Sequence, residues 1–353
     1  MSEATDIGGG FEEIPPNEES IISAIVDDNF KTLAKREGVT QRGQHGKHHG
    51  CLSACFIIRD DLPDHLKHGI FARPDRFKAW VRLSNGTWYD DRKADAHGMS
   101  IKLEGVTGEH LGFGAPNEQD FLLVDHPVFF TRSLEEYRIF NRYFTRILAF
   151  LKKWKDPIRF LPRLFWMVQG WLMLRLCHGG MLRRSQAFAS ASPVSLLTSC
   201  YWSTTPYAHG DDLAVKYMVR PIELDRAGPL PARGNGAAVI SRNGFSEDLA
   251  KRLADKGWQF EFGIHLHRDP ESHPIEDATV HWDPEGTAFI PLARIVIDAH
   301  DQTAVAQSMS RAEQLAFSPW NGLVAHRPLG HVNRARRDVY LEMARRRLEA
   351  NRP

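Results

Sequence analysis

Seven segments of the chain are short, apolar and rich in β-branched or aromatic residues, and several alternate in polarity: Cys51–Ile58, Phe77–Ser84, Met99–Leu103, Phe121–Val124, Leu213–Val219, Trp258–Leu266 and Ile290–Ile297. Their lengths and patterns predict strands. An early and a late group of such strands suits a closed antiparallel barrel. No glycine-rich phosphate loop follows any of them. Between the groups, Leu134 to about Leu182 reads as helical. Its most apolar run, Phe165 to Leu174, is bracketed by Arg163 and Arg175. That run is shorter than the roughly 18 apolar residues a membrane span needs, so no transmembrane segment is expected. Ser192 to Gly210 predicts a loop with a short strand, and the Pro/Gly-rich stretch Arg226 to Gly236 a surface loop. From Ser308 the pattern is helical again, broken near Pro319 and Pro328, with a last helix from about Val332 to Leu348.

Composition narrows this picture. With 353 residues and 42% hydrophobic content the chain can bury a large core, and one domain over residues 31–353 is expected after a disordered or extended arm over residues 1–30. The formal net charge is +1, so no global field points to nucleic acid. The four cysteines, at 51, 55, 177 and 200, show no CxxC spacing. They read as buried thiols of a reducing, cytoplasmic compartment. Met1 to Ser20 is acidic and lacks the apolar core of a secretory signal. His48, His49, His265 and His267 read as structural, since no third metal ligand stands at a recognisable spacing.

The first chemical candidate is Arg336-Arg337-Asp338-Val339-Tyr340. Residues four apart share a helix face, so the Arg336 guanidinium can reach the Tyr340 phenol. Ionising a free phenol at pH 7 costs roughly 4 kcal/mol. A fixed guanidinium lowers that cost and ferric iron lowers it further, which suits a phenolate that ligates iron. A surface cation–π contact is the ordinary alternative. The second candidate is Arg42-Gly43-Gln44-His45-Gly46-Lys47, leading into the apolar segment that starts at Cys51.

This second cluster resembles the stretch with which heme catalases present their distal histidine. The resemblance continues in order. Trp80-Val81-Arg82-Leu83-Ser84-Asn85 is similar to the family's Val-Arg-Phe-Ser block, and Asp95 to Lys102 to its Asp-x-Arg-Gly-Phe-Ala-x-Lys. Asp120 to Phe130 resembles the segment carrying the distal asparagine. Glu313 to Asn321 resembles the block that precedes the proximal tyrosine. Together they resemble the catalase-related heme proteins, a family that includes small catalase-related allene oxide synthases and organic-hydroperoxide peroxidases.

The resemblance implies an α+β fold: a catalase-type closed antiparallel β-barrel of about eight strands with flanking and C-terminal helices. It implies heme b, a ferric iron protoporphyrin IX, with Tyr340 as iron ligand kept deprotonated by Arg336. It also implies propionate contacts from Arg42, Arg82 and Arg347, His45 as distal acid/base, and Ser84 orienting that imidazole. Val124, Asp125, Phe129 and Phe130 would line the substrate channel. In either register the distal asparagine position falls on Val124 or Asp125. Losing such a donor costs about 1–4 kcal/mol, against efficient hydrogen peroxide dismutation. Gln44 precedes the histidine where catalases have a small apolar residue and allene oxide synthases threonine. Only thirteen residues follow Tyr340, which predicts a more open site.

The expected activity is heme-dependent O–O cleavage of organic or fatty-acid hydroperoxides, by peroxidase or isomerase chemistry. A minimal hydrogen peroxide catalase and a noncatalytic heme or lipid binder are the alternatives. The run Leu148 to Leu174, interrupted by Lys152, Lys153, Lys155, Arg159 and Arg163, is either packing helix or a contact with a fatty-acid carboxylate or anionic membrane surface. Homo-oligomerisation and the reductant stay open.

Overall fold

The computed structural model describes residues 12–30, 35–36, 39–152, 165, 168–170, 172, 175, 178–222, 241–254, 256–283, 285–286 and 288–351. Each of the seven expected segments is a strand: β1 (His48–Ile58), β2 (Arg76–Asn85), β3 (His97–Glu104), β4 (Glu118–Val124), β6 (Ala214–Pro221), β7 (Trp258–Leu266) and β8 (Ile290–Ile297), with a two-residue β5 (Tyr201–Trp202) between β4 and β6. β8 pairs with β1, and neighbours then pair in order from β1 to β6. β7 bonds both β6 and β8, which closes the ring without a free edge. All pairings are antiparallel.

Alternation fills the interior. Leu52, Ala54, Phe56 and Ile58 from β1 meet Val81 and Leu83, Met99 and Ile101, and Phe121 and Leu123 in one buried apolar cluster. The intervening side chains point outward, and Arg76, Lys78 and Arg294 among them are exposed. Phe56, Phe121 and Phe262 pack with ring centroids 4.8–6.2 Å apart at the centre. Aromatic contacts of this kind add to the area buried by each ring.

A second apolar cluster lies outside the barrel. It joins α1 (Glu18–Phe30), α2 (Leu134–Lys152) and α6 (His331–Ala350) through Ile21, Ile22, Ile25, Leu134, Tyr137, Ala335 and Val339. The expectation of a disordered or extended arm therefore fails over Glu18–Phe30. Ile21, Ile22 and Ile25 place an apolar stripe on one helix face, and burying it against α2 and α6 favours helix. Arg334 fixes the junction through paired contacts with Glu18 at 2.6 and 2.8 Å. Further helices are α3 (Gly179–Phe188), α4 (Gly244–Leu253) and α5 (Gln302–Gln314). The loop expected at 226–236 lies outside the described residues, as does Cys177. Cys51 is buried, whereas Cys55 and Cys200 are half-buried. Among the described residues no helix is long and apolar enough to cross a membrane.

Candidate functional site

Strand register builds one wall of a cavity on the barrel's outer face. Arg82, Ser100 and Leu122 stand in one cross-strand row, and Ser84, Gly98 and Val124 in the next. Helix α6 faces this wall with Arg336, Tyr340, Met343 and Arg347, whose spacing puts them on one side of the helix. The loop Arg42–His45 closes one end, and Phe129, Phe130, Tyr137 and Phe188 form an aromatic side. The cavity holds about 180 Å³ of internal space and opens to solvent at its mouth.

His45 is held in the left-handed region at φ +52°, and Thr204, which also lines the cavity, at φ +61°. These are the positive-φ non-glycine residues among the described positions. Such backbone is costly for a side-chain-bearing residue and persists where its surroundings enforce it. Here the His45 N–H donates to Gly86 O at 2.9 Å, and Arg82 Nη2 donates to His45 O at 2.6 Å. The ring Nδ1 lies 3.1 Å from Ser84 Oγ. Gly98 gives the imidazole its space: a Cβ there would stand 2.7 Å from His45 Nδ1 and Cε1. Burial, then the positive charges of Arg82, His97, Arg336 and Arg42, push the His45 pKa down to about 3. The imidazole is neutral at physiological pH.

Three arginines gather at this edge. Arg42 Nη2 donates to Ala312 O at 2.9 Å and Leu315 O at 2.6 Å, and Arg347 donates to Glu313 O at 2.6 Å and Leu315 O at 3.0 Å. Both guanidinium groups lie 3.6 Å from the Glu313 carboxylate. Burial opposes the charge on Glu313, but its hydrogen bond with His48 and the arginine field hold its carboxyl at about 2. One carboxylate thus faces three guanidinium groups. Arg42 Nη1 and Arg82 Nε are buried without a hydrogen-bond partner. Burial lowers the Arg42 pKa, with repulsion from Arg82 and Arg347 adding to it, and burial pushes Arg82 down to about 10. Orphaned donors and excess positive charge fit an anionic group with several acceptor oxygens.

On α6 the Arg336 carbon Cζ lies 5.4 Å from the Tyr340 ring centroid. Burial works against the Arg336 charge, but the phenols of Tyr340, Tyr207 and Tyr137 outweigh it and raise its pKa. Arg336 Nη1 also donates to Thr205 Oγ1 at 3.2 Å and Asn333 Oδ1 at 3.1 Å. The guanidinium is consequently fixed rather than swinging on its stem.

The residues expected from sequence do not all share one place. His45, Arg42, Arg82, Val124, Phe129, Phe130, Arg336, Tyr340 and Arg347 line the cavity. Ser84 stands behind His45. Asp125 does not line the channel: its carboxylate takes hydrogen bonds at 2.7 Å from both His97 N and His97 Nδ1. Its own N–H donates to His97 O at 2.9 Å, extending the β3–β4 ladder by a rung, and alternation turns its side chain away from that of Val124. Cavity residues not anticipated include Asn29, Leu122, Phe188, Thr204 and Met343. Alternation from Val124 points to Leu122, and a three-residue step along the helix points from Tyr340 to Met343. Asn29 gave no signal because its helix was unexpected. Among the described residues no group of three potential ligands is arranged to hold a metal.

No family model and no curated protein sequence matches the chain. Solved structures do match its shape. A fungal catalase superposes with a TM-score of 0.63 at 17% identity, covering 95% of this chain and 64% of that one. A bacterial catalase gives 0.59 at 16%, covering 99% and 65%. Catalase A from Saccharomyces cerevisiae gives 0.59 at 17%, covering 96% and 66%. The chain thus has the catalase-type barrel while spanning just under two thirds of the length of these proteins.

Proposed function

We propose that the protein is a heme-dependent enzyme that cleaves the O–O bond of organic or fatty-acid hydroperoxides. The observation that carries this reading is the convergence on one cavity of a neutral His45, the Arg336–Tyr340 pair and arginines with orphaned donors. Arg42, Arg82 and Arg347 would hold the heme propionates, whose paired charge answers the excess positive charge at that edge. Tyr340 would bind the iron, with Arg336 stabilising its phenolate. When bound, the heme supplies the redox chemistry that breaks the peroxide bond.

The protein's own groups then manage the proton. His45 donates Nδ1–H to Ser84 Oγ in the tautomer that leaves the Nε2 lone pair free. Nε2 accepts the hydroperoxide proton and returns it to the departing oxygen, as a neutral imidazole can and an imidazolium cannot. Val124 offers a methyl surface in place of an amide donor, and the aromatic side formed by Phe129, Phe130 and Phe188 suits an apolar chain better than hydrogen peroxide.

The test is an absorption spectrum of the purified protein followed by turnover assays with cumene hydroperoxide and a fatty-acid hydroperoxide. Heme bands with organic-hydroperoxide consumption and little oxygen evolution are expected. Fast oxygen evolution from hydrogen peroxide without organic turnover would favour a minimal catalase, and heme binding without either would leave a binding protein.

A further inference from the structure

The described positions between α2 and α3 include an exposed apolar face. Residues 165, 168–170, 172 and 175 are helical. Gly170 is buried there, and a Cβ added to it would stand 2.8 Å from Cδ1 of Tyr143 on α2. This glycine lets the two helices approach. At about 100° per residue, Phe165, Val168, Leu172 and Arg175 fall on the side opposite Gly170. Phe165 is 63% exposed, Val168 49% and Leu172 46%, three of the large apolar side chains the fold leaves in solvent. Exposed apolar residues scattered singly need no explanation, but three on one helix face do.

Charge indicates what covers this face. Residues 151–178 contain six Lys or Arg against the single Asp156, whereas the whole chain is near neutral at +1. The same stretch contains Trp154, Trp166 and Trp171, the residue type favoured at membrane–water interfaces. Arg138 and Arg142 on α2 and Arg175 are exposed. Basic and tryptophan-rich sequence around an apolar stripe is complementary to anionic lipid headgroups over acyl chains. The helices that flank this stretch reach the cavity: α2 begins at Leu134, shortly after Phe129 and Phe130, and α3 ends at Phe188, 5.2 Å from Phe130 between ring centroids.

We propose that the face formed by Phe165, Val168, Leu172 and Arg175 docks the protein peripherally on an anionic lipid bilayer. This deepens the hydroperoxide reading, on which it rests for its purpose, by naming a membrane as the source of the substrate.

The experiment is co-sedimentation of the full chain with phosphatidylglycerol/phosphatidylcholine vesicles and with phosphatidylcholine vesicles alone. Binding to the anionic vesicles only, weakened by salt, is expected. The triple variant Phe165→Ser/Val168→Ser/Leu172→Ser should bind at least about tenfold less, and Arg175→Glu about fivefold less, with cumene hydroperoxide turnover and circular dichroism unchanged. The proposal is overturned by no binding to anionic vesicles, or by equal binding of the triple variant. A concentration-dependent dimer that the triple variant dissolves also overturns it, by assigning the face to a second copy of the chain. Sedimentation uses no substrate, so failure of the hydroperoxide reading would appear only in the turnover assay and leave this result intact.

Discussion

Arg336 and Tyr340, one helical turn apart on α6, face each other across 5.4 Å inside the cavity wall, with the guanidinium also anchored by Thr205 and Asn333. The guanidinium is thus held beside the phenol on the helix face that lines the cavity. Tyr340→Phe keeps the ring and its packing but removes the oxygen. The variant is expected to carry at least about tenfold less heme than the wild type, or heme with displaced charge-transfer bands. A pyridine hemochrome assay and the visible spectrum check this; unchanged content and bands would remove Tyr340 as ligand.

His45 tests the other side of the cavity. His45→Ala is expected to retain heme but to react with peroxide about a hundredfold more slowly, the usual contribution of an acid/base group. Because its pKa is pushed to about 3, the imidazole stays neutral from pH 5 to pH 8. The wild-type stopped-flow rate should therefore be flat across that range and decline only as pH falls toward about 4. A rate that halves near pH 6.5 would contradict the neutral-base role.

The barrel was legible because its core obeys a period of two over long enough runs to read. All seven expected strands appear. The eighth, Tyr201–Trp202, has too few residues to show a period and was legible only as the short strand expected within residues 192–210. Helix α1 was hidden by the acidic, Gly/Pro-containing composition before it, although Ile21, Ile22 and Ile25 carried its apolar stripe. At the site, ordered motifs indicated His45, Tyr340 and the arginines. Asp125 lies just past the expected strand end at Val124, where alternation continues by one more rung and sends its carboxylate to the other face of the sheet. Its pairing with His97 needed the register.

Gly98 offers a test of geometry that replaces none of the proposed reacting groups. A methyl there would press on the His45 ring at 2.7 Å and lie 3.0 Å from Ser84 Oγ. Gly98→Ala should displace the imidazole and slow the peroxide reaction by at least about tenfold, with an unchanged heme content. Normal kinetics in this variant would mean that the ring has freedom the packing denies it.

Acid stability follows from buried neutral histidines. His209 is fully buried, with Nε2 2.9 Å from Leu66 O and Nδ1 unpartnered. Burial lowers its pKa from 6.5 to about 4. Between those values the unfolded chain binds a proton that the folded chain refuses. Stability is therefore full above pH 6.5 and falls with decreasing pH, by about 1.4 kcal/mol per unit from this residue. His209→Gln, which can keep a donor, should flatten the decline in urea-unfolding free energy between pH 6.5 and pH 4.5. An identical slope in both proteins would refute the assignment.

The proposed function makes Val124 the determinant of which peroxide the cavity favours. It stands in register with Gly98 and Ser84, in the row nearest His45, and presents only methyl groups to the cavity. A hydrogen-bond donor placed there would hold a small peroxide against the iron, while a longer organic hydroperoxide gains more from apolar contact. Val124→Asn is therefore expected to raise oxygen evolution from hydrogen peroxide by about tenfold and to raise the Michaelis constant for a fatty-acid hydroperoxide. An oxygen electrode reads the first effect and a spectrophotometric assay the second. If the wild type already evolves oxygen rapidly and the substitution changes neither value, Val124 does not set specificity and the protein acts as a minimal catalase.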